Sequence, residues 1–131
     1  MKFKKALLVL TDIADQAINE EIVDLCRKFK SKLYVLFVLE PKKVSRLSRM
    51  THRTNDVVHK DLSEQGWQAL YLVEDEAVEH GVWTSLHMEE GSLISTVRKF
   101  AEAYTVDCVY TRRTDETKRL FLTCPVTVIG L

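Results

Sequence analysis

The sequence predicts one open α/β domain, a five-stranded parallel sheet between two layers of helices (α/β/α). Three observations carry this expectation. Apolar runs short enough to be strands recur at 5–11, 33–40, 82–88, 107–111 and 125–130. The stretches between several of them place apolar residues at helical spacing. Strands alternating with helices make parallel sheets joined by right-handed crossovers. With 131 residues, 46% of them hydrophobic, the chain can build one substantial core, and residues 1–131 are read as a single domain.

Each element has its own warrant. KALLVLT (5–11) is almost continuously apolar, as in a strand buried on both faces. Ile18, Ile22, Leu25 and Phe29 follow at helical spacing, with Asp15, Glu20, Glu21 and Asp24 toward the N-terminal half, where they suit the helix dipole. LYVLFVLE (33–40) is the second strand, and Pro41 stops it because proline cannot donate to the ladder. From about Val57 to His80, the residues Val58, Leu62, Gly66, Ala69, Val73 and Ala77 form a narrow stripe on a long helix, with Gly81 as its C-terminal cap. VWTSLHM (82–88) is the third strand; a turn at 89–91 and a cap at Ser92 open a helix burying Ile94, Val97, Ala101 and Tyr104. DCVYT (107–111) is the fourth strand, 114–122 allow a short helix, and PVTVIG (125–130) is the fifth strand.

Between the second strand and the long helix, Lys42, Lys43, Arg46, Arg49, Arg53 and Lys60 cluster with His52 and His59, and apolar residues are scarce before Val57. The segment 42–60 is read as a mobile, solvated connection. A dedicated anion or nucleic-acid site there is the secondary reading, disfavoured because aromatics are not interleaved.

Charge and cysteine usage narrow the functional classes. Nineteen basic and nineteen acidic residues leave no net charge to draw the molecule to nucleic acid or an anionic membrane. The apolar run near the start ends at Thr11-Asp12, too soon for a secretory signal, and no stretch nears the roughly 18–20 apolar residues of a membrane span. Cys26, Cys108 and Cys124 are odd in number and form no CxxC pair, which suits reduced thiols in a cytoplasmic protein, Cys108 and Cys124 serving as core residues. His80 and His87 have no acid or cysteine partner at catalytic or metal spacing, so no catalytic residue and no metal site is assigned. Trp67 and Trp83 fit core edges or interfaces equally well.

The order of motifs resembles the universal stress protein family: Thr11-Asp12 ends the first strand, Phe37-Val38 lies near the end of the second, a strand begins at Asp107, and Cys124-Pro125-Val126-Thr127-Val128-Ile129 looks like the family's closing strand. The resemblance spans nearly the whole chain, least at 41–56, and implies a Rossmann-like fold. In ATP-binding members it implies that the acid after the first strand and the valine of the second, here Asp12 and Val38, lie near the nucleotide. A GxxG loop and a later Gly-Ser after the fourth strand hold the phosphates there. This chain departs at that loop. Its glycines are Gly66, Gly81, Gly91 and Gly130, and the corresponding segment reads Thr111-Arg112-Arg113-Thr114-Asp115-Glu116-Thr117-Lys118-Arg119. With Thr114 as a cap, Asp115 and Glu116 occupy the positive end of the short helix and repel phosphate. Ile13 and Ala14 after the acid leave less room for a ligand. Asp12 is then read as ordering its turn, and Arg112 and Arg113 either form an anion-binding fork or are solvated or paired with Asp115 and Glu116.

Two functions follow. The first is a non-catalytic stress-response or signalling protein without cofactor, a homodimer through Val126, Val128 and Ile129 of the last strand that binds a protein partner; the dimer is implied by the resemblance and by the need to cover an edge strand. The second is a nucleotide-binding protein or weak ATPase that takes ATP with magnesium through Asp12, Val38, Arg112 and Arg113. A phosphorylated receiver domain is disfavoured because the third strand ends in His87-Met88-Glu89 rather than aspartate, and GxSxG and GxGxxG are absent.

Overall fold

Burial on both faces makes Lys5–Leu10 (β1) and Lys32–Leu39 (β2) the spine of the sheet: Ala6 to Leu10 and Leu33 to Leu39 are all buried. The structure, a computed structural model, describes residues 3–124 and 126–131, with the side chain of Ala14 also outside the description. Thr84–Glu90 (β3), Cys108–Thr111 (β4) and Thr127–Gly130 (β5) complete a parallel sheet in the order β3-β2-β1-β4-β5. Leu8 lies opposite Val35 on one side and Tyr110 on the other.

Period-two alternation sends the side chains to two cores. One face carries Leu8, Leu10, Val35, Phe37, Cys108 and Tyr110 against Asn19–Phe29 (α1) and Asn55–Glu79 (α3). The other carries Leu7, Val9, Leu36, Val38 and Val109 against Leu93–Tyr104 (α4) and Leu120–Thr123 (α5). This is the expected open five-stranded parallel sheet with helices on both faces.

Several local expectations are corrected. The segment after β2 is not a connection: Pro41–Thr51 is a helix (α2), with Pro41 at its start, where a fixed φ and a missing N–H cost nothing. Val44 and Leu47 turn inward onto Leu39, Val58 and Leu62, forming a small third cluster with α3. Two inward apolar residues hold the helix while its other face stays cationic. A 3-10 turn, Ile13–Ile18, precedes α1, whose buried residues are Asn19, Ile22, Val23 and Cys26. Phe29 is 51% exposed and meets Phe3 edge-on at 5.4 Å, so the inward stripe is rotated from the one predicted. In α4, Phe100 is buried where Tyr104 was expected, and Tyr104 lies at the rim.

Caps differ as well. Ser92 occupies the N-cap position of α4, but its side chain makes no capping bond; the Leu93 N–H donates to Glu40 Oε2 at 3.4 Å instead. Thr54 caps α3 by accepting from the Val57 N–H, and Gly81 follows its end at φ +69°, as anticipated. Thr114 does not open a helix; it closes a turn, and α5 begins only at Leu120. Pro125 of the expected fifth strand lies outside the described residues, and Val126 precedes β5.

Candidate site at the carboxyl ends of the strands

The chain leaves β1 toward β2 on one side, while β4 flanks β1 on the other. This reversal of strand order opens a crevice where open α/β sheets hold ligands. Here the protein's own side chains occupy it. Asp15, only 3% exposed, accepts from the N–H groups of Thr11 at 2.8 Å and Asp12 at 3.1 Å through Oδ2. Its other oxygen stands 3.4 Å from Arg112 Nε, joining the end of β1 to the end of β4. Across the top, Lys43 of α2 donates to the Thr11 carbonyl at 2.9 Å and stands 3.8 Å from the Asp12 carboxylate. Neither the role of Asp15 nor that of Lys43 was visible in sequence: Asp15 reads as a helix-dipole acid, and Lys43 as one member of a solvated run.

The remaining predicted residues disperse. Asp12 stands exposed at the mouth of the crevice. Val38 is 2% exposed, its side chain in the core shared with α4. Arg112 turns to Asp15, whereas Arg113 lies over the Phe121 ring at 5.5 Å, so the two arginines make no single fork. Gly130 permits this stacking, since a Cβ there would meet Phe121 and Arg113 at 2.6 and 2.7 Å. Arg113, Thr114, Asp115, Lys118 and Phe121 line a hollow of about 670 Å³ beside it.

Two amides of the loop after β4 are bonded within the loop itself. The Thr114 N–H donates to Thr117 Oγ1 at 3.0 Å, the Thr117 N–H donates to Thr114 Oγ1 at 3.3 Å, and the Thr117 hydroxyl donates to the Arg112 carbonyl at 2.8 Å. These two amides are committed inside the turn, and Thr117 is 2% exposed. Those two N–H groups are turned inward and so are not offered to an anion at the surface.

Beyond the crevice, α2 and the loop after β4 enclose a groove of about 550 Å³ lined by Glu40, Pro41, Lys42, Lys43, Ser45, Arg46, Arg49 and Glu116. At the β3 edge, Trp83 meets Tyr34 edge-on at 5.4 Å and His87 meets Phe100 at 4.9 Å. His87 Nε2 lies 2.8 Å from Ser85 Oγ, a partner the sequence reading missed, and burial pushes its pKa down against a weaker upward pull from Glu89. His80 has acids beside it after all: with Glu76 and Glu79 it brings ligand-type atoms within 4.8 Å, but its Nδ1 bonds the Glu76 carbonyl at 2.9 Å, as at an ordinary helix end. Trp67 and Trp83 are both substantially exposed, Trp67 beside Tyr71 at 5.8 Å.

Cys26 and Cys108 are buried thiols, and burial pushes their pKa values up to about 12 and about 11. Cys124 is half-buried and packs against the rim of the core on the α4 side. Among the described residues no helix is long and apolar enough to cross a membrane.

No protein-family model and no curated protein matches the sequence. Solved structures do. A universal stress protein family member from Burkholderia pseudomallei superposes with a TM-score of 0.80 at 12% identity, covering 99% of this chain and 96% of that one. A hypothetical protein whose biochemical function was assigned from its structure gives 0.79 at 16% identity, covering 100% and 96%. The Archaeoglobus fulgidus universal stress protein in complex with dAMP gives 0.70 at 15% identity, covering 99% and 98%. Superposition over nearly the whole of both chains at these scores gives this chain the fold of the universal stress proteins.

Proposed function

We propose that this protein is a stress-response or signalling module of the universal stress protein type, acting as a homodimer that binds partners and lacking the conventional ATP site. The closed crevice carries this reading. Asp15, Arg112 and Lys43 fill the switch point with paired charge, and the Thr114–Thr117 turn keeps its amides to itself. Opening the site would break the Asp15 bonds within the protein before any ligand contact formed.

Dimerisation rests on β5, which pairs only with β4 in the described sheet. Val128 and, just before the strand, Val126 lean toward the α4 side, and Ile129 toward the α1 side, all partly buried. A twofold copy along this edge would pair its open backbone groups and cover all three. Light scattering at micromolar concentration is expected to report a dimer and Val128→Asp to shift it toward monomer; a wild-type protein that is only monomeric sinks the proposal.

A second reading is favoured by the likeness to a fold that carries dAMP in one relative. Here the chain would take a nucleotide, or ATP with magnesium, through Asp12, Val38, Arg112 and Arg113, with weak ATPase activity. Calorimetric titration with AMP separates the two. The closed crevice predicts no binding at millimolar ligand, and micromolar AMP affinity would replace it with the second reading.

A further inference from the structure

The groove between α2 and the loop after β4 is cationic in an unusual way. Lys42, Arg46 and Arg49 are exposed, line the same hollow and have no acid partner among the described residues. By contrast, the neighbouring Arg53 is paired with Asp61 and Lys43 is bonded to Thr11. No acid stands in the first turn of α2, where Lys42 and Lys43 work against the helix dipole. Their charge is therefore concentrated against local preference. Among the described residues, the acids lining the hollow are Glu40 and Glu116.

We infer that this groove binds a chain of linked phosphates through the side chains of Lys42, Arg46 and Arg49. Size and charge point to that class. From residue 42 to residue 49 the helix advances about 10 Å, a span that one phosphate cannot fill but several linked ones can. Arginine forks suit phosphate oxygens bidentately, and a flexible lysine supplies a point charge at the end of the row. The hollow's concavity brings these groups around one ligand, and its place beside the switch point is where α/β sheets receive small molecules. None of the residues invoked holds the Asp15–Arg112 pair, so this site is independent of the closed crevice and of β5.

The phosphate chain could be free or carried by a nucleotide, and the experiment separates the two. Wild-type protein is titrated by calorimetry with sodium tripolyphosphate, ATP and AMP, without magnesium, at low ionic strength. Tripolyphosphate is expected to bind, ATP within about threefold of it, and AMP at least about tenfold more weakly, since the contacts are to phosphate. Arg46→Ala/Arg49→Ala is expected to lose at least about tenfold in tripolyphosphate affinity, and Glu116→Gln to gain about twofold. Circular dichroism and melting temperature should stay at wild type because these side chains are exposed. No heat with tripolyphosphate at millimolar concentration, or unchanged affinity in the double variant, overturns the proposal. So does ATP binding more than about tenfold tighter than tripolyphosphate, which would assign recognition to the base. Tight AMP binding would instead sink the closed crevice, so the two failures are distinct.

Discussion

Asp15 is a buried carboxylate whose oxygens accept two backbone N–H groups and face Arg112, so its removal strands donors as well as a cation. Asp15→Ala is expected to lower unfolding free energy by about 2–4 kcal/mol in urea denaturation. The same arithmetic distinguishes the thiols. Burial holds Cys26 and Cys108 protonated, at pKa values of about 12 and about 11, while Cys124 is partly accessible. A thiol-specific chromogenic reagent at pH 8 should titrate one cysteine in native protein and three after unfolding. His87 supplies a pH signature. Its folded pKa lies below the ordinary value of about 6.5 because burial penalises the cation, so the unfolded chain binds the proton more tightly. The stability it contributes is complete above about pH 6.5 and declines as pH falls through the folded pKa. Thermal melts between pH 7 and 5 should show this slope, reduced in His87→Gln, and a native-state NMR titration above 6.5 would refute it.

At the scale of elements, α3 uses Gly66 for closeness to the sheet. A Cβ there would meet Met88 Cε at 2.6 Å and the Phe37 ring at 2.8 Å. Alanine would improve helix propensity by about 1 kcal/mol, but overpacking costs about 1–3 kcal/mol, and Phe37, 4% exposed, has little room to yield. Gly66→Ala is therefore expected to lose about 1 kcal/mol by thermal unfolding, whereas a gain would show that Met88 swings away freely. The stripe of small residues was legible in sequence because a 25-residue helix repeats its pattern many times. The helix α2 was not, since its inward face consists of little more than Val44 and Leu47, and its basic residues are equally at home in a loop.

For the molecule as a whole, strand order decides what the residues can do. By placing β4 beside β1, the sheet sets Arg112 against Asp15, and by placing β5 at the edge it leaves one side of that strand without a neighbouring strand among the described residues, the side on which the proposed dimer rests. The groove on α2 and the edge at β5 use separate residues. A protein altered at Arg46 and Arg49 should remain dimeric by light scattering, and one altered at Val128 should still bind tripolyphosphate.

The sequence alone determined the strands, the principal helices, the two-layered core and the absence of a glycine cradle, because each is written in local periodicity or residue type. The edge position of the last strand is only a condition of the dimer expectation, and the strand order of the sheet supplies it. The tertiary structure decided how charge is spent. Asp15 and Arg112 are far apart in the chain and meet only because β1 and β4 pair; Arg113, next to Arg112, is drawn off to Phe121; and α2 packs as a helix because Val58 and Leu62 of α3, with Leu39, offer a surface for Val44 and Leu47. Pairing of distant charges depends on which strands are neighbours, and no local spacing records that.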